Sequence, residues 1–291
     1  MENLVIIGSG PAGISAALYA ARAGLSPVVL TQGPGALGKA GQIDNYYGAP
    51  LTGPALHAAG EEQARALGVR ILETQAVGVV GFDTYTVRAV SGDFDTIAVL
   101  LATGAKRAAP TIPGLKELEG AGVSYCAVCD AFFYRGKPVA VLGSGDFALH
   151  EADELAPLAG SVTILTNGEP EAFTKPCPYP IDRRPISALV GDKALAGVQF
   201  ADGGLLLANG LFVALGTAGS AEIARQTGAE LGADGSVVVD AAMQTTLPGL
   251  YAAGDCTGGL KQIAKAVHEG TQAGLSAIQY IRDYRKTHPD L

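Results

Sequence analysis

Near the N-terminus, the apolar run Leu4-Val5-Ile6-Ile7 passes directly into Gly8-Ser9-Gly10-Pro11-Ala12-Gly13, and an alanine-rich stretch from Ile14 to Gly24 follows. A strand, a Gly-x-Gly-x-x-Gly turn and a helix in that order are the opening of a dinucleotide-binding unit. The glycines permit a tight turn and let a pyrophosphate approach the backbone, while the helix N-terminus presents amide hydrogens to it. Pro27 to Thr31 reads as the second strand. Gly8, Gly10, Pro11, Ala12 and Gly13 are therefore candidate cofactor-binding residues. Such a unit normally carries an acid near the end of its second strand for ribose hydroxyls. This chain has Thr31 and Gln32 there, so Gln32 is the candidate contact and carboxylate recognition of ribose is not supported.

The pattern recurs once. Val139-Ala140-Val141-Leu142 leads into Gly143-Ser144-Gly145, a helix to about Leu158, and a strand at Val162 to Leu165. Two such units predict an α/β fold with two Rossmann-like dinucleotide-binding domains. A glycine turn also persists where helix and strand merely pack closely, so Gly143 to Gly145 alone does not establish a bound nucleotide. Immediately before the second unit stands Tyr125-Cys126-Ala127-Val128-Cys129-Asp130-Ala131-Phe132-Phe133-Tyr134-Arg135-Gly136-Lys137. The spacing lets both thiols close one small disulfide loop, and a helical turn there would lower the leading thiol's pKa. A zinc half-site is the rival reading of the same spacing.

Between the two units, Gly33 to Gly53 is too glycine-rich for a simple connector, and Gly41, Gln42 and Asn45 within it are candidate ligand contacts. Helix is expected over Pro54 to Leu67 and strand over Ile71 to Val80, Tyr85 to Val90 and Ile97 to Leu101. The last ends in Ala102-Thr103-Gly104, where tight backbone could lie against a dinucleotide. Pro110 to Gly114 reads as an interdomain hinge. Leu211 to Gly216 is the expected last strand of the second domain, and Val237 to Asp240 the return crossing. Leu250 to Asp255 is a strand ending in a carboxylate, and Lys261 to Lys286 a long closing helix.

With 291 residues, 48% hydrophobic residues and a mean hydropathy of +0.27, the chain can bury two ordinary cores. No apolar run is long enough for a membrane span, and no basic region precedes the first strand, so a cytoplasmic protein is expected. A net charge of −8 and a pI near 5.0 exclude nucleic acid as an expected partner. Cys126, Cys129, Cys177 and Cys256 do not make a structural disulfide framework in that compartment. Cys177 and Cys256 read as bystanders, and the four histidines have no partners at metal spacing, so no metal site is expected.

Taken together, Gly8 to Gly13, Cys126 to Lys137, Ala252-Ala253-Gly254-Asp255 and Gln262 to Gly270 make the chain resemble the low-molecular-weight thioredoxin reductases over nearly its whole length. The resemblance implies an FAD-binding domain made of residues 1–112 and 240–291, with a dithiol domain, 113–239, inserted into it, and a homodimer. It implies Cys129 as the thiol nearest the flavin, Cys126 as the thiol that attacks a thioredoxin-type partner disulfide, and Asp130 as general acid–base. Chemistry asks for such a set in any case, since the thiolate is the nucleophile and a nearby carboxyl can shuttle its proton. Asp255 matches the family carboxylate at the flavin ribityl and phosphate region, with Gln262 and Ile263 beyond it. Lys261 stands where the family usually has arginine.

The sharper departure follows the second domain's strand. Where the family places cations for the 2′-phosphate of NADPH, this chain has Leu165-Thr166-Asn167-Gly168-Glu169-Pro170. Glu169 repels a phosphate, and Arg183 and Arg184, candidates to substitute from a different loop, sit between prolines in a segment that looks shortened. NADPH is therefore disfavoured, leaving NADH, a reduced ferredoxin or a second flavin as donor. Tyr280, Tyr284 and His288 could stack on a flavin, although aromatics at that spacing are more often packing residues. The expected function is an FAD-dependent disulfide reductase using Cys126 and Cys129, with ferredoxin or a second FAD favoured as electron source. A dithiol oxidase passing electrons to oxygen is the alternative within the fold, and a zinc-binding or regulatory module the alternative outside it.

Overall fold

The computed structural model describes residues 1–48, 51–105, 111–215 and 219–288, with Cys129 described for its main chain only. The chain divides into two compact units, Met1–Arg107 with Gly219–Leu291, and Ala108–Ala218. The first unit opens with strand β1 (Glu2–Ile7), helix α1 (Pro11–Arg22) and strand β2 (Val28–Thr31). A short hairpin of β3 (Gln42–Ile43) and β4 (Leu51–Thr52) leads into α2 (Gly53–Ala66), β5 (Arg70–Glu73), β6 (Ala76–Gly81), β7 (Tyr85–Ala89) and β8 (Gly92–Leu101). Local chemistry sets these boundaries. Pro11 occupies the first turn of α1, where its missing N–H costs nothing, and the Thr52 hydroxyl caps α2 by accepting from Ala55 N at 3.3 Å.

The strands order as β5-β2-β1-β8-β7-β6, with β2, β1 and β8 parallel and β6, β7 and β8 joined antiparallel. Leu4, Val5, Ile6 and Ile7 are buried, as expected for a central parallel strand covered on both faces.

The second unit follows with β9 (Val123–Ser124), the short helix α3 (Ala127–Asp130), β10 (Pro138–Leu142), α4 (Asp146–Leu155), β11 (Ser161–Leu165) and β12 (Ile181–Asp182). A three-stranded antiparallel sheet, β13 (Ile186–Gly191), β14 (Leu195–Phe200) and β15 (Leu205–Leu207), precedes β16 (Gly210–Val213). The parallel sheet has the order β12-β11-β10-β16-β9. Its core includes Ile112, Leu115, Leu118, Leu142, Leu165 and Leu211. The expected boundary at 112 therefore falls earlier, because Ile112 is buried among second-unit residues.

The chain then supplies α5 (Ser220–Thr227), β17 (Leu250–Ala252) and α6 (Ile263–Thr287) to the first unit. β17 joins the first sheet through β8. The return was expected at 240, but the structure places it at 219. Ser220 N donates to Thr103 Oγ1 at 2.8 Å, α5 packs on β6, and Val237 N donates to Cys256 O, so 219–239 belongs to the first unit's packing. The long helix α6 lies close against α1. Cβ atoms on Gly270 and Gly274 would run into the backbone of Ala12 and Ala16, so two glycines one turn apart set that approach. Among the described residues, no helix is long and apolar enough to cross a membrane. Pro110 of the expected hinge and Gly216 of the expected strand lie outside the described residues.

Candidate functional site: a dinucleotide crevice and a redox loop

In the first unit, β1 has β2 on one side and β8 on the other, so the strand order reverses at β1, between the connection to β2 and the later strand β8. Open parallel sheets bind their ligands at the carboxyl ends of strands flanking such a reversal. Gly8 to Gly13 follows β1, Ala102-Thr103-Gly104 follows β8, and Gly254-Asp255 follows β17. These three expected segments are brought to one edge of the sheet, with Ala102 N donating to Ile7 O and Ala253 N donating to Leu101 O.

The turn is shaped for close approach. Gly8 has φ +115°, and a Cβ there would overlap the carbonyl of Ala102, while one on Gly13 would overlap the carbonyl of Gly8. A Cβ on Gly10 would meet nothing within 4 Å. The N-terminus of α1 has no side-chain cap and no acid in its first turn, so its amides remain available to an anion. Asp255 is half-buried and forms no side-chain hydrogen bond among the described residues, which suits a carboxylate that receives ligand hydroxyls. This donor set fits the pyrophosphate and ribityl chain of FAD.

Other expected contacts are placed unevenly. Asn45 Nδ2 donates to Gln262 Oε1 at 3.1 Å, joining the loop after β3 to the start of α6. Lys261 is exposed just before Gln262, and Ile263 is the first, partly buried residue of α6. Gly41 and Gln42 lie at the base of the β3–β4 hairpin, exposed, and among the described residues no side-chain bond ties Gln42 to the sheet edge. Gln32 donates its amide to Gln75 Oε1 at 3.2 Å. Beside it, Ser9 Oγ lies 2.6 Å from Thr31 Oγ1 and 2.9 Å from His57 Nε2, a network that sequence reasoning did not find. Equally unforeseen is the clamp on Gly254. Glu269 Oε2 accepts from Gly254 N at 2.8 Å, and Lys265 Nζ donates to Gly254 O and Glu269 Oε2, both at 2.9 Å.

The redox loop belongs to the second unit. Cys126 follows β9, is disulfide-bonded, and is 1% exposed. The side chain of Cys129 lies outside the described residues; its main chain sits in α3. Asp130 Oδ2 accepts from Ser124 Oγ at 2.6 Å, and Cys126 N donates to the same Ser124 oxygen at 3.1 Å, so one hydroxyl ties the carboxylate to the cysteine backbone. From α4, Glu151 Oε2 accepts from Ala127 N at 2.6 Å. Burial pushes the Glu151 carboxyl up to about 7, against the opposing pull of that amide and with a further push from Glu154. Phe132 and Phe133 follow at 68% and 66% exposure, packed edge to face, with the Arg135 guanidinium 5.5 Å from the Phe132 ring centre. A disulfide sulfur is not a zinc ligand, and among the described residues no metal-binding cluster of His, Cys, Asp or Glu occurs.

The second glycine turn differs from the first. A Cβ on Gly143 would overlap the carbonyl of Ala214 and press on Ala148, so that glycine serves packing. Ala172 N donates to Ser144 O at 2.7 Å, and Ala172 bridges to Gly145. Thr174 donates from N and Oγ1 to the two oxygens of Asp146, each at 2.8 Å, at the first residue of α4. The chain thus lays its own backbone on the turn and its own carboxylate at the helix N-terminus, where a pyrophosphate would otherwise go. Arg183 pairs with Glu171 at 2.5 Å, and Arg184 pairs with Asp182 at 2.6 Å while stacking 3.9 Å from the Phe200 ring centre. Asn167 turns its oxygen to Ile186 N at 2.6 Å.

Of the remaining candidates, Cys256 is buried, and burial pushes its thiol up to about 11. Cys177 is half-buried, its thiol 3.6 Å from Tyr179 O. Tyr280, Tyr284 and His288 stack on one another, with ring centres 6.2 and 4.1 Å apart, and both tyrosines pack against the first unit's core.

Comparison with known proteins agrees with this geometry. The model of the family described as pyridine nucleotide-disulphide oxidoreductase matches residues 2–178 and 183–270. A thioredoxin reductase from Aquifex aeolicus is 33% identical, covering 99% of this chain and 95% of its own. Among solved structures, an atypical thioredoxin reductase from Desulfovibrio vulgaris Hildenborough is 39% identical with a TM-score of 0.93, covering 97% of this chain and 99% of its own. A ferredoxin-flavin thioredoxin reductase from Clostridium acetobutylicum is 30% identical with a TM-score of 0.75, covering 97% and 98%. With a fitted crevice in one unit, a buried disulfide-bonded cysteine in the other and these relatives across nearly the whole chain, the protein belongs to the pyridine nucleotide-disulphide oxidoreductase family as a thioredoxin reductase-like, FAD-dependent disulfide oxidoreductase.

Proposed function

We propose that this protein reduces the disulfide of a thioredoxin-type partner and draws its electrons from a donor other than NADPH, a reduced ferredoxin or a second flavin. The observation that carries the second half is the closed turn at Gly143 to Gly145. Ala172 and Thr174 occupy the approach to α4, Asp146 puts a negative charge at its head, and Arg183 and Arg184 are already paired with carboxylates. A bound 2′-phosphate would have to break those pairs or remain uncompensated.

FAD would be held by Gly8, Gly10, Pro11, Ala12 and Gly13, by Ala102-Thr103-Gly104, and by Asp255, with Gln32, Gly41, Gln42, Asn45, Lys261, Gln262 and Ile263 around them. Bound there, it supplies the two electrons that open the disulfide. The protein's own residues do the rest. Cys129 is the flavin-side sulfur, Cys126 the sulfur that attacks the partner, and Asp130 the group that gives and takes the proton, held in place by Ser124. Because Cys126 is 1% exposed, the loop must be uncovered before that sulfur reaches a partner. Phe132 and Phe133 form the apolar surface beside the loop on which a small dithiol protein can dock. The active form in this reading is a cytoplasmic homodimer.

The test is an anaerobic visible spectrum of purified protein mixed in turn with NADPH, NADH and photoreduced ferredoxin, with flavin counted per chain. Bleaching by ferredoxin alone, or two flavins per chain, is expected. Rapid bleaching by NADPH overturns the donor assignment. Stoichiometric hydrogen peroxide from a small dithiol in air, without reduction of a protein disulfide, replaces the reductase reading with a dithiol oxidase.

A further inference from the structure

Asp130 is not the only acid at the redox loop. Glu151 reaches the same loop from a different element and from below, at 1% exposure. Its Oε2 accepts from Ala127 N at 2.6 Å, the amide that begins α3 and is joined to Cys126 through the cysteine's own carbonyl carbon. A short covalent path through Cα and Cβ leads from that carbonyl carbon to Cys126 Sγ. We propose that Glu151 is a positioning residue for the redox disulfide: it holds the Ala127 amide at the head of the loop, and its charge sets how readily the Cys126 sulfur ionises once the disulfide is opened. The inference rests on Cys126 being a redox cysteine and is independent of the electron donor.

The surroundings leave Glu151 in a controlling position. On its own helix, Glu154 is the acid that bears on it, and His150 is its sequence neighbour. From the redox loop, Cys126 immediately precedes the bonded Ala127, and the Asp130 carboxylate is directed to Ser124. Among the described residues, the strands packed most extensively on α4 are β10 and β11, and Pro138–Leu142 and Ser161–Leu165 contain no titratable side chain; Tyr179 reaches α4 as well, through its hydroxyl to Asp153. Burial has moved the Glu151 carboxyl up to about 7, so its charge changes near neutral pH.

Opening the disulfide takes two electrons and two protons to give two thiols, or one proton if one sulfur stays a thiolate. An ionised Glu151 on the amide next to a Cys126 thiolate puts two negative charges on neighbouring residues of one buried loop, which disfavours the one-proton product. A neutral Glu151 removes that penalty. The two groups therefore titrate as a pair, and the pH at which reduction changes from two protons to one belongs to both.

The experiment equilibrates the flavin-loaded protein with dithiothreitol redox buffers from mildly acid to mildly alkaline pH. Acid quenching and alkylation under denaturing conditions then measure the fraction reduced. The slope of midpoint potential against pH changes where one proton drops out of the reaction. Glu151→Gln keeps the size and the acceptor for Ala127 N while removing the charge. It is expected to lower that break by about one pH unit, which is about tenfold more thiolate below the break. Glu151→Asp, which keeps the charge, is expected to hold the break at the parent position. A Gln variant whose curve superimposes on the parent's reduces Glu151 to an ordinary structural hydrogen bond and overturns the proposal, as does an Asp variant shifted as far as the Gln one. A parent protein that does not equilibrate with dithiothreitol at all would instead sink the redox reading of Cys126.

Discussion

A carboxyl buried beneath a redox loop leaves its mark on stability as well as on chemistry. Glu151 is raised from 4.5 to about 7, so between those values the folded protein holds a proton that the unfolded chain has released. Its contribution to stability is fully present below about pH 4.5 and is lost as pH rises to about 7, in the direction opposite to that of a salt-bridged acid. The size of that loss is of the order of 3 kcal/mol. Denaturant unfolding of the oxidised protein should therefore show stability falling across this interval relative to Glu151→Gln, which has no proton to lose there. If parent and variant track each other in parallel across the interval, the carboxyl titrates normally and is not buried as described. Nothing in the neighbouring residues of the sequence marked Glu151. It lies in a second-domain helix, far along the chain from Cys126, and only the packing of α4 against α3 brings the two together. Cys126, Cys129 and Asp130, by contrast, stand in one short segment, which is why the sequence offers them together as candidates.

At the scale of elements, the two glycine turns read alike in the sequence and part company in the structure. Gly8 to Gly13 and Gly143 to Gly145 each follow a buried strand and head a helix. What differs is what faces them, and that comes from remote segments: open space at Gly10, but Ala172 and Thr174 at the second turn. Strand–turn–helix order is a local property and was readable, whereas occlusion by a segment nearly thirty residues on was not. The missing cations after β11 could be seen in Thr166 to Glu169, but the pairing of Arg183 and Arg184 with carboxylates could not. Substitution separates packing from ligand approach. Gly143→Ala should cost roughly 1–3 kcal/mol, since its Cβ meets backbone and Ala148 and neither can yield freely. Gly145→Ala, whose Cβ would meet nothing closer than 3.6 Å, should stay within about 0.5 kcal/mol. On the other unit, Gly270→Ala should both destabilise and weaken flavin retention, because its Cβ displaces Ala12 in the pyrophosphate turn. Thermal unfolding with flavin release as a second probe checks all three. A well-folded Gly270→Ala that keeps its flavin at parent affinity would mean α6 does not support the turn through Ala12.

For the whole molecule, the division of labour follows the division of the chain. Every segment fitted to FAD comes from Met1–Arg107 or Gly219–Leu291, and the redox loop with Ser124, Asp130 and Glu151 comes from Ala108–Ala218. The first sheet closes around its own core with α1 and α6 and needs no residue of the redox loop to shape the Gly8 turn. Loss of the disulfide should therefore remove the chemistry without removing the cofactor. Replacing Cys126 by Ser deletes the sulfur proposed to attack the partner, and the change is nearly isosteric in a loop whose backbone is held by Ser124 and Glu151. The expected outcome is flavin content at the parent ratio, reduction of that flavin by its donor intact, and turnover with a protein disulfide at least a hundredfold lower, about 2.7 kcal/mol in the barrier. Flavin absorbance per chain and a thioredoxin-type disulfide assay on the same preparation measure both halves. Retained turnover would move the partner-facing role away from Cys126, while flavin lost together with turnover would show that the two units do not keep cofactor binding and disulfide chemistry apart.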